Sequence, residues 1–200
     1  MTPQRTLVFA TNNEHKLREI RAIAPEMHIL SLADIQCHAD IPETASTFQG
    51  NALLKARYVK QHYGYDCFAD DSGLMVDALH GAPGVHSARY AGEGHDGDAN
   101  TALLLRNMHD VADRSARFVT VIALIDSEGE HLFEGSIEGS ILTAPRGDGG
   151  FGYDPVFIPQ GYTESFAEMS SEQKNRISHR AIATEHLLHY LSNHFTSQCK

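Results

Sequence analysis

The 200-residue chain contains no run of about eighteen uncharged apolar residues, the length an apolar helix needs to cross a bilayer, so no membrane partner is expected. Met1 to Phe9 has one Arg and only a short apolar run before polar Thr11, Asn12 and Asn13, which is not the pattern of a secretory signal. Cysteine is scarce. Cys37, Cys67 and Cys199 form no CxxC pair, which argues against a disulfide framework and makes a reducing cytoplasm the expected location. Basic residues are outnumbered, 16 Lys and Arg against 26 Asp and Glu, for a formal net charge of −10. A nucleic-acid polymer is therefore an unexpected partner, because its phosphates require clustered cations. A small anionic ligand is still allowed, since a few local cations or a metal reverse the field within one cleft. The 13 histidines are mostly single, and no Cys/His pair has zinc-finger spacing. His186 and His189 share a helix face with His194 beyond, which reads as a solvated helix end. No Walker P-loop, GxSxG elbow or HExxH occurs.

What is present is 42% hydrophobic and 21% charged residues, the composition of one globular domain over residues 1–200 or of two lobes around one cleft. Leu7 to Ala10 reads as a buried strand, His15 to Ala24 as a helix stopped by Pro25, and Met27 to Leu32 as a second strand. A helix is predicted over Thr47–His62, with Gly50 weakening its start. Cys67–Ala69 and Leu74–Leu79 read as two short strands, and Gly81–Gly94 as a Gly-rich loop. Thr101–Met108 is helical. Arg117–Ile125 turns at Ser127-Glu128-Gly129 into His131–Ile137, and Gly139–Ala144 continues the sheet. Ser178–Phe195 is the last helix. Interleaved helices and strands followed by a hairpin predict an α/β fold with a mixed sheet.

Four constellations can carry chemistry. Thr11-Asn12-Asn13-Glu14-His15-Lys16 lies where a strand becomes a helix. Free N–H groups there attract anions and Lys16 reaches the same place, although an Asn cap with a solvated Lys fits equally well. Asp70-Asp71-Ser72-Gly73 sets two acids at a strand end, a costly arrangement without a cation or solvent. Successive side chains on an extended chain point oppositely, so one Asp in the cleft is the economical picture; an Asp-rich turn with Gly73 at positive φ is the alternative. Gly147 to Pro155 spells GxGxxG, but Pro155 and the apolar residues after it predict an extended segment. A dinucleotide site is thereby rejected, leaving Phe151 and Tyr153 as rings for stacking, with a structural Gly-rich turn carrying core aromatics as the alternative. Finally, Lys174 precedes Ser178-His179-Arg180, where Ser178 suits an N-cap and Arg180 falls in a first turn that disfavours cations, a placement easier to explain if Arg180 serves a ligand, with an ordinary surface Arg at small cost as the alternative. Glu43, Asn51 and Lys55 are individually ordinary. Glu43 gains meaning only if it meets Asp71, where two carboxylates and phosphate oxygens would suit Mg²⁺.

In this order, Thr11-x-Asn13-x-x-Lys16, Glu43-Thr44 with Thr47-Phe48 and Asn51, Asp70 to Leu74, Gly84 to Tyr90, Gly149 to Pro155 and Ser178 to Arg180 cover nearly the whole chain. Together they resemble the inosine/xanthosine triphosphate pyrophosphatases of the Ham1 type. The resemblance implies an elongated two-lobed α/β fold around a long central mixed sheet, with the active-site cleft between the lobes. It also implies a homodimer, a Mg²⁺ cofactor, and conversion of the purine nucleoside triphosphates ITP, dITP and XTP to the monophosphate and pyrophosphate. By position it makes Asp71 the general base and a metal ligand, and Glu43 a second metal carboxylate. It makes Thr11, Asn12, Asn13, Glu14, His15, Lys16, Ser72, Phe151, Gly152, Tyr153, Asp154, Lys174, His179 and Arg180 substrate contacts. Asn12, Ala45 and Gly50 depart from the family's usual small residue, Gly and Glu; the last removes a carboxylate near the metal. A Maf-like pyrophosphatase of pyrimidine or modified nucleotides and a non-hydrolysing nucleotide sensor are the rival readings.

Overall fold

The computed structural model describes residues 6–195, so Cys199 and the first five residues lie outside the described part. Six strands form one sheet in the order β2-β1-β3-β4-β5-β6: β1 (Thr6–Phe9), β2 (His28–Leu30), β3 (Cys67–Val76), β4 (Ser115–Ile125), β5 (Glu130–Ile141) and β6 (Phe157–Pro159). β1 pairs in parallel with β2 and β3, whereas β6 runs antiparallel to β5, so the sheet is mixed as expected. The helices are α1 (Glu14–Ile23), α2 (Phe48–Tyr63), α3 (Gly97–Asn107), α4 (Ser171–Ile177) and α5 (His179–Phe195). None of them is long and apolar enough to cross a membrane.

The chain divides into two compact units. Among the described residues one comprises 6–71, 120–135 and 180–195, the other 72–119 and 136–179. In the first unit Leu7–Ala10, Cys67–Ala69 and Val121–Ile125 are apolar at successive positions because both faces are covered. Val8, Ala10, Cys67, Ala69, Ala123 and Ile125 pack with Ala52, Ala56 and Val59 of α2. Their sequence neighbours Leu7, Phe9, Phe68, Ile122 and Leu124 turn to the other face, against Leu17 and Ile20 of α1 and Ala183, Leu187 and Leu191 of α5. Strict alternation along each strand thus decides which helix a residue meets. Phe9 and Phe68 stack across neighbouring strands at 4.6 Å between ring centroids. Cys37 and Cys67 are free thiols buried in the α2-side core, where they pack as small hydrophobes.

The second unit has its own core: Leu74 and Val76 of β3, Leu104 of α3, Phe118 of β4, and Tyr153, Val156, Phe157 and Phe166. Phe118 lies edge-on to Phe157 at 4.7 Å.

Several sequence expectations change here. The two short strands predicted over 67–79 are one ten-residue strand. Gly73 lies inside it, so the Asp-rich turn is replaced by extended backbone. Likewise 130–141 is a single strand, not two. α4 was not anticipated, although its capping box was readable: Ser170 accepts from the Gln173 N–H while Gln173 returns to the Ser170 N–H. Ser178 ends α4, its N–H bonded to the Lys174 carbonyl, immediately before α5 begins. The GxGxxG run leads into a 3-10 turn and β6 with no helix, consistent with rejecting a dinucleotide site.

Candidate active site

The parity of β3 separates the adjacent acids. Residues 67 and 69 face α2 and residue 68 faces α1 and α5, so residue 71 continues the first side and residue 70 the second. Asp70 meets Lys16 of α1, with Nζ 3.1 and 3.0 Å from its two carboxylate oxygens, and Arg180 of α5, with Nε at 3.4 Å. Asp71 accepts a hydrogen bond from the Asn51 amide of α2 at 3.0 Å. Lys55, one turn beyond Asn51 on the same helix face, forms an ion pair with Glu43. Distant segments therefore converge on the middle of β3, as the sequence required if Glu43 were to matter.

Their electrostatics diverge. Burial penalises the charge on Asp70, but Lys16, Arg180 and Lys55 outweigh it and hold that carboxyl far below its ordinary value. Burial also penalises Asp71, and there it prevails over Lys55 and Lys16, with Glu43 adding repulsion, so Asp71 is raised. Glu43 is lowered: burial opposes its charge, and Lys55 more than offsets this. The two lysines also part company. Burial lowers Lys16 despite Asp70, whereas for Lys55 burial is outweighed by Glu43, Asp70 and Asp71 and its affinity for the proton rises. One acid is thus committed to its ion pairs and the other keeps affinity for a proton, the division of labour that proton-transfer sites exploit.

The residues fit a hard divalent cation as partial ligands. Among the described residues no group of three His, Cys, Asp or Glu is placed to hold a metal. Glu43 and Asp71 are oxygen donors within each other's field, and burial, with a smaller push from Glu43, raises Asp71 despite Lys55 and Lys16, a cost to its charge that a bound cation would offset. Two carboxylates, with substrate oxygens and water completing the shell, is how Mg²⁺ is commonly held.

The N-terminal loop behaves as a cap. Asn13 accepts from the N–H groups of His15 and Lys16, at 2.9 and 3.1 Å, and Thr11 accepts from the Asn13 N–H. The Asn-cap alternative is realised, but Lys16 is paired with Asp70 and not solvated. Asn12 donates to the Ala39 carbonyl at 3.4 Å, and Glu14 and His15 are exposed. Arg180 also differs from expectation. Its cation in the first turn of α5 is offset by Asp70 and by an ion pair with Glu19, so its position is explained without a ligand. Neither Glu19 nor Lys55 stood out in the sequence; the i, i+4 spacing of Asn51 and Lys55 was the one available signal.

The remaining predicted residues lie in the second unit. Asp154 is buried; it accepts from the Phe151 N–H and from Lys174 Nζ at 2.6 Å. The same ammonium stands 4.9 Å from the Phe151 ring centroid, a cation–π arrangement. Phe151 is half-buried and Gly152 exposed. Of the two readings of Tyr153, stacking ring or core aromatic, the core one holds: only 5% exposed, it donates its hydroxyl to the Ser87 carbonyl at 2.8 Å, and burial raises its phenol. His179 is buried with its ring stacked on Phe118 at 4.7 Å, and Ser72 is half-buried where the chain enters this unit.

Comparison with known proteins agrees with these motifs. The chain matches the sequence model of the Ham1 family over residues 7–190. It is 60% identical over 187 residues to a protein of Porphyromonas gingivalis named dITP/XTP pyrophosphatase, covering 92% of this chain and 96% of that one. A Flavobacterium psychrophilum protein of the same name is 53% identical, covering 94% and 99%. Among solved structures, the Staphylococcus aureus Ham1 protein superimposes with a TM-score of 0.87 at 38% identity, covering 95% of this chain and 100% of that one. With a family match across most of its length and relatives above half identity, the chain belongs to the Ham1 family.

Proposed function

We propose that the protein hydrolyses non-canonical purine nucleoside triphosphates, ITP, dITP and XTP, to the monophosphate and pyrophosphate, and so clears deaminated purines from the nucleotide pool. The observation that carries this reading is Asp71, a buried carboxylate of raised proton affinity between Lys55, Lys16 and Glu43. The naming of its relatives as dITP/XTP pyrophosphatases supports the substrate class. Asp71 accepts the proton of a water attacking the α-phosphorus as the bond to the pyrophosphate oxygen breaks. Lys16 lends positive charge to the phosphates, while Asp70 keeps that ammonium in place. Asp71 and Glu43 would hold the Mg²⁺, which supplies charge neutralisation for the departing pyrophosphate. Thr11 to His15, Ser72, Phe151 to Asp154, Lys174, His179 and Arg180 are proposed substrate contacts, with buried Tyr153 acting by supporting the backbone around it. Donors aimed at the purine 6-oxo group favour these bases over adenine, whose amino group leaves a donor unpaired at roughly 1–3 kcal/mol each. A homodimer in the cytoplasm completes the proposal.

The test is pyrophosphate release from ITP, dITP, XTP, GTP and dATP, with and without Mg²⁺. Turnover of the first three well above dATP is expected, and Asp71→Asn should lose several orders of magnitude in kcat while retaining its circular dichroism. Binding without pyrophosphate release would favour a sensor. Preference for pyrimidine nucleotides, or near-normal turnover by Asp71→Asn, would overturn the assignment.

A further inference from the structure

Asn51 has no obvious chemistry of its own, yet it is fully buried among charged groups. Its amide nitrogen donates to Asp71 Oδ2 at 3.0 Å, and its amide oxygen accepts the Ala45 N–H at 2.9 Å. Ala45 stands two residues after Glu43, so one planar amide ties the proposed base to the loop carrying the second carboxylate. The same loop is fastened beside that link. Thr47 caps α2 by accepting the Gly50 N–H at 3.1 Å. A Cβ on Gly50 would lie 2.6 Å from the Ala45 Cβ, so the absence of a side chain at 50 lets the loop close on the first turn of α2. An amide suits this place better than any charged or apolar group: it has both a donor and an acceptor, and it adds no net charge beside a raised carboxyl.

We infer that Asn51 is a positioning residue that fixes Asp71 and the Glu43 loop in one mutual arrangement, with the close pair Ala45 and Gly50 setting the height of the loop. Its kinetic consequence rests on the pyrophosphatase reading above. Its structural consequence does not. Misplacing a reacting group by about 1 Å costs roughly a hundredfold in rate, so the expected loss falls in kcat.

Four proteins test this: the parent, Asn51→Leu, Asp71→Asn and the double variant, assayed for dITP hydrolysis and crystallised without metal. Asn51→Leu should lose about a hundredfold in kcat with KM changed by less than about threefold. The double variant should be no slower than Asp71→Asn, because a residue acting through Asp71 has nothing left to act on; a merely structural defect would multiply the two losses. In the Asn51→Leu crystal the Asp71 carboxylate and the 43–46 loop should both shift. Asn51→Asp keeps the volume and the acceptor for the Ala45 N–H, so it serves if the leucine variant fails to fold; it should move Asp71 and leave the loop in place. Multiplying losses, or an unmoved Asp71 and loop, overturns the inference. A parent that releases no pyrophosphate would sink the functional reading alone, and the crystal structures would still decide whether Asn51 positions these groups.

Discussion

Asp70 and Asp71 are neighbours in sequence with opposite surroundings, and the difference is made by which cations each one meets. Asp70 is held by Lys16 and Arg180, whereas Asp71 accepts from the neutral Asn51 amide and feels cations through space. That the acids point apart was readable from strand alternation. That the two helices beyond Asp70 each bring it a cation, and the helix beyond Asp71 an amide and the more distant Lys55, was not. Cys67, four residues earlier on the α2 side, gives a test of burial with a worked sign. Its thiol donates to the Ala56 carbonyl at 3.1 Å, and burial pushes its pKa from 9.0 up to about 12. Between those values the unfolded chain releases the proton and the folded chain keeps it, so stability is unaffected below the lower value and falls as pH rises above it. The slope approaches about 1.4 kcal/mol per pH unit. Melting temperatures of the parent and Cys67→Ala measured from about pH 8 to about pH 10 should show the parent falling more steeply; parallel curves would mean that the thiol is not protected.

At the scale of the element, α2 begins with Thr47 as its cap and carries Gly50, Asn51 and Lys55 in its first two turns. Helix propensity alone predicts that Gly50→Ala stabilises it, by up to about 1 kcal/mol. The packing predicts the reverse, because the new methyl would meet the Ala45 Cβ at 2.6 Å. Gly50→Ala is therefore expected to lower the melting temperature and kcat together. Ala45→Gly added to it should restore both, since the pair then has one methyl again on the other side of the contact. Failure of the second change to rescue the first would show that the contact is not what limits position 50. The departures at 45 and 50 from the family's usual Gly and Glu were visible in the sequence. Their contact was not, because residues five apart lie on different sides of the helix start and meet only through the path of the loop.

At the scale of the whole molecule, the proposed chemistry needs a cation that the chain supplies only in part, since no three ligating side chains among the described residues come together. Chelation with EDTA should therefore abolish pyrophosphate release and leave the fold intact, with Mg²⁺ restoring activity. A fall in melting temperature of more than a few degrees on chelation, measured by scanning calorimetry, would instead point to a structural metal.

The sequence by itself determined the α/β class, the mixed sheet, most helix and strand cores, the rejection of a dinucleotide loop and the family's motif order, because these follow from local periodicity, capping and short-range residue patterns. Tertiary structure alone decided that Tyr153 belongs to the core, that Arg180 is balanced by Asp70 and Glu19, that Lys55 and Asn51 serve the acids, and which of two adjacent aspartates has its proton affinity raised. Such outcomes depend on the competition between burial and charge among groups far apart in the chain, and that competition has no terms until the fold has brought them within a few ångströms.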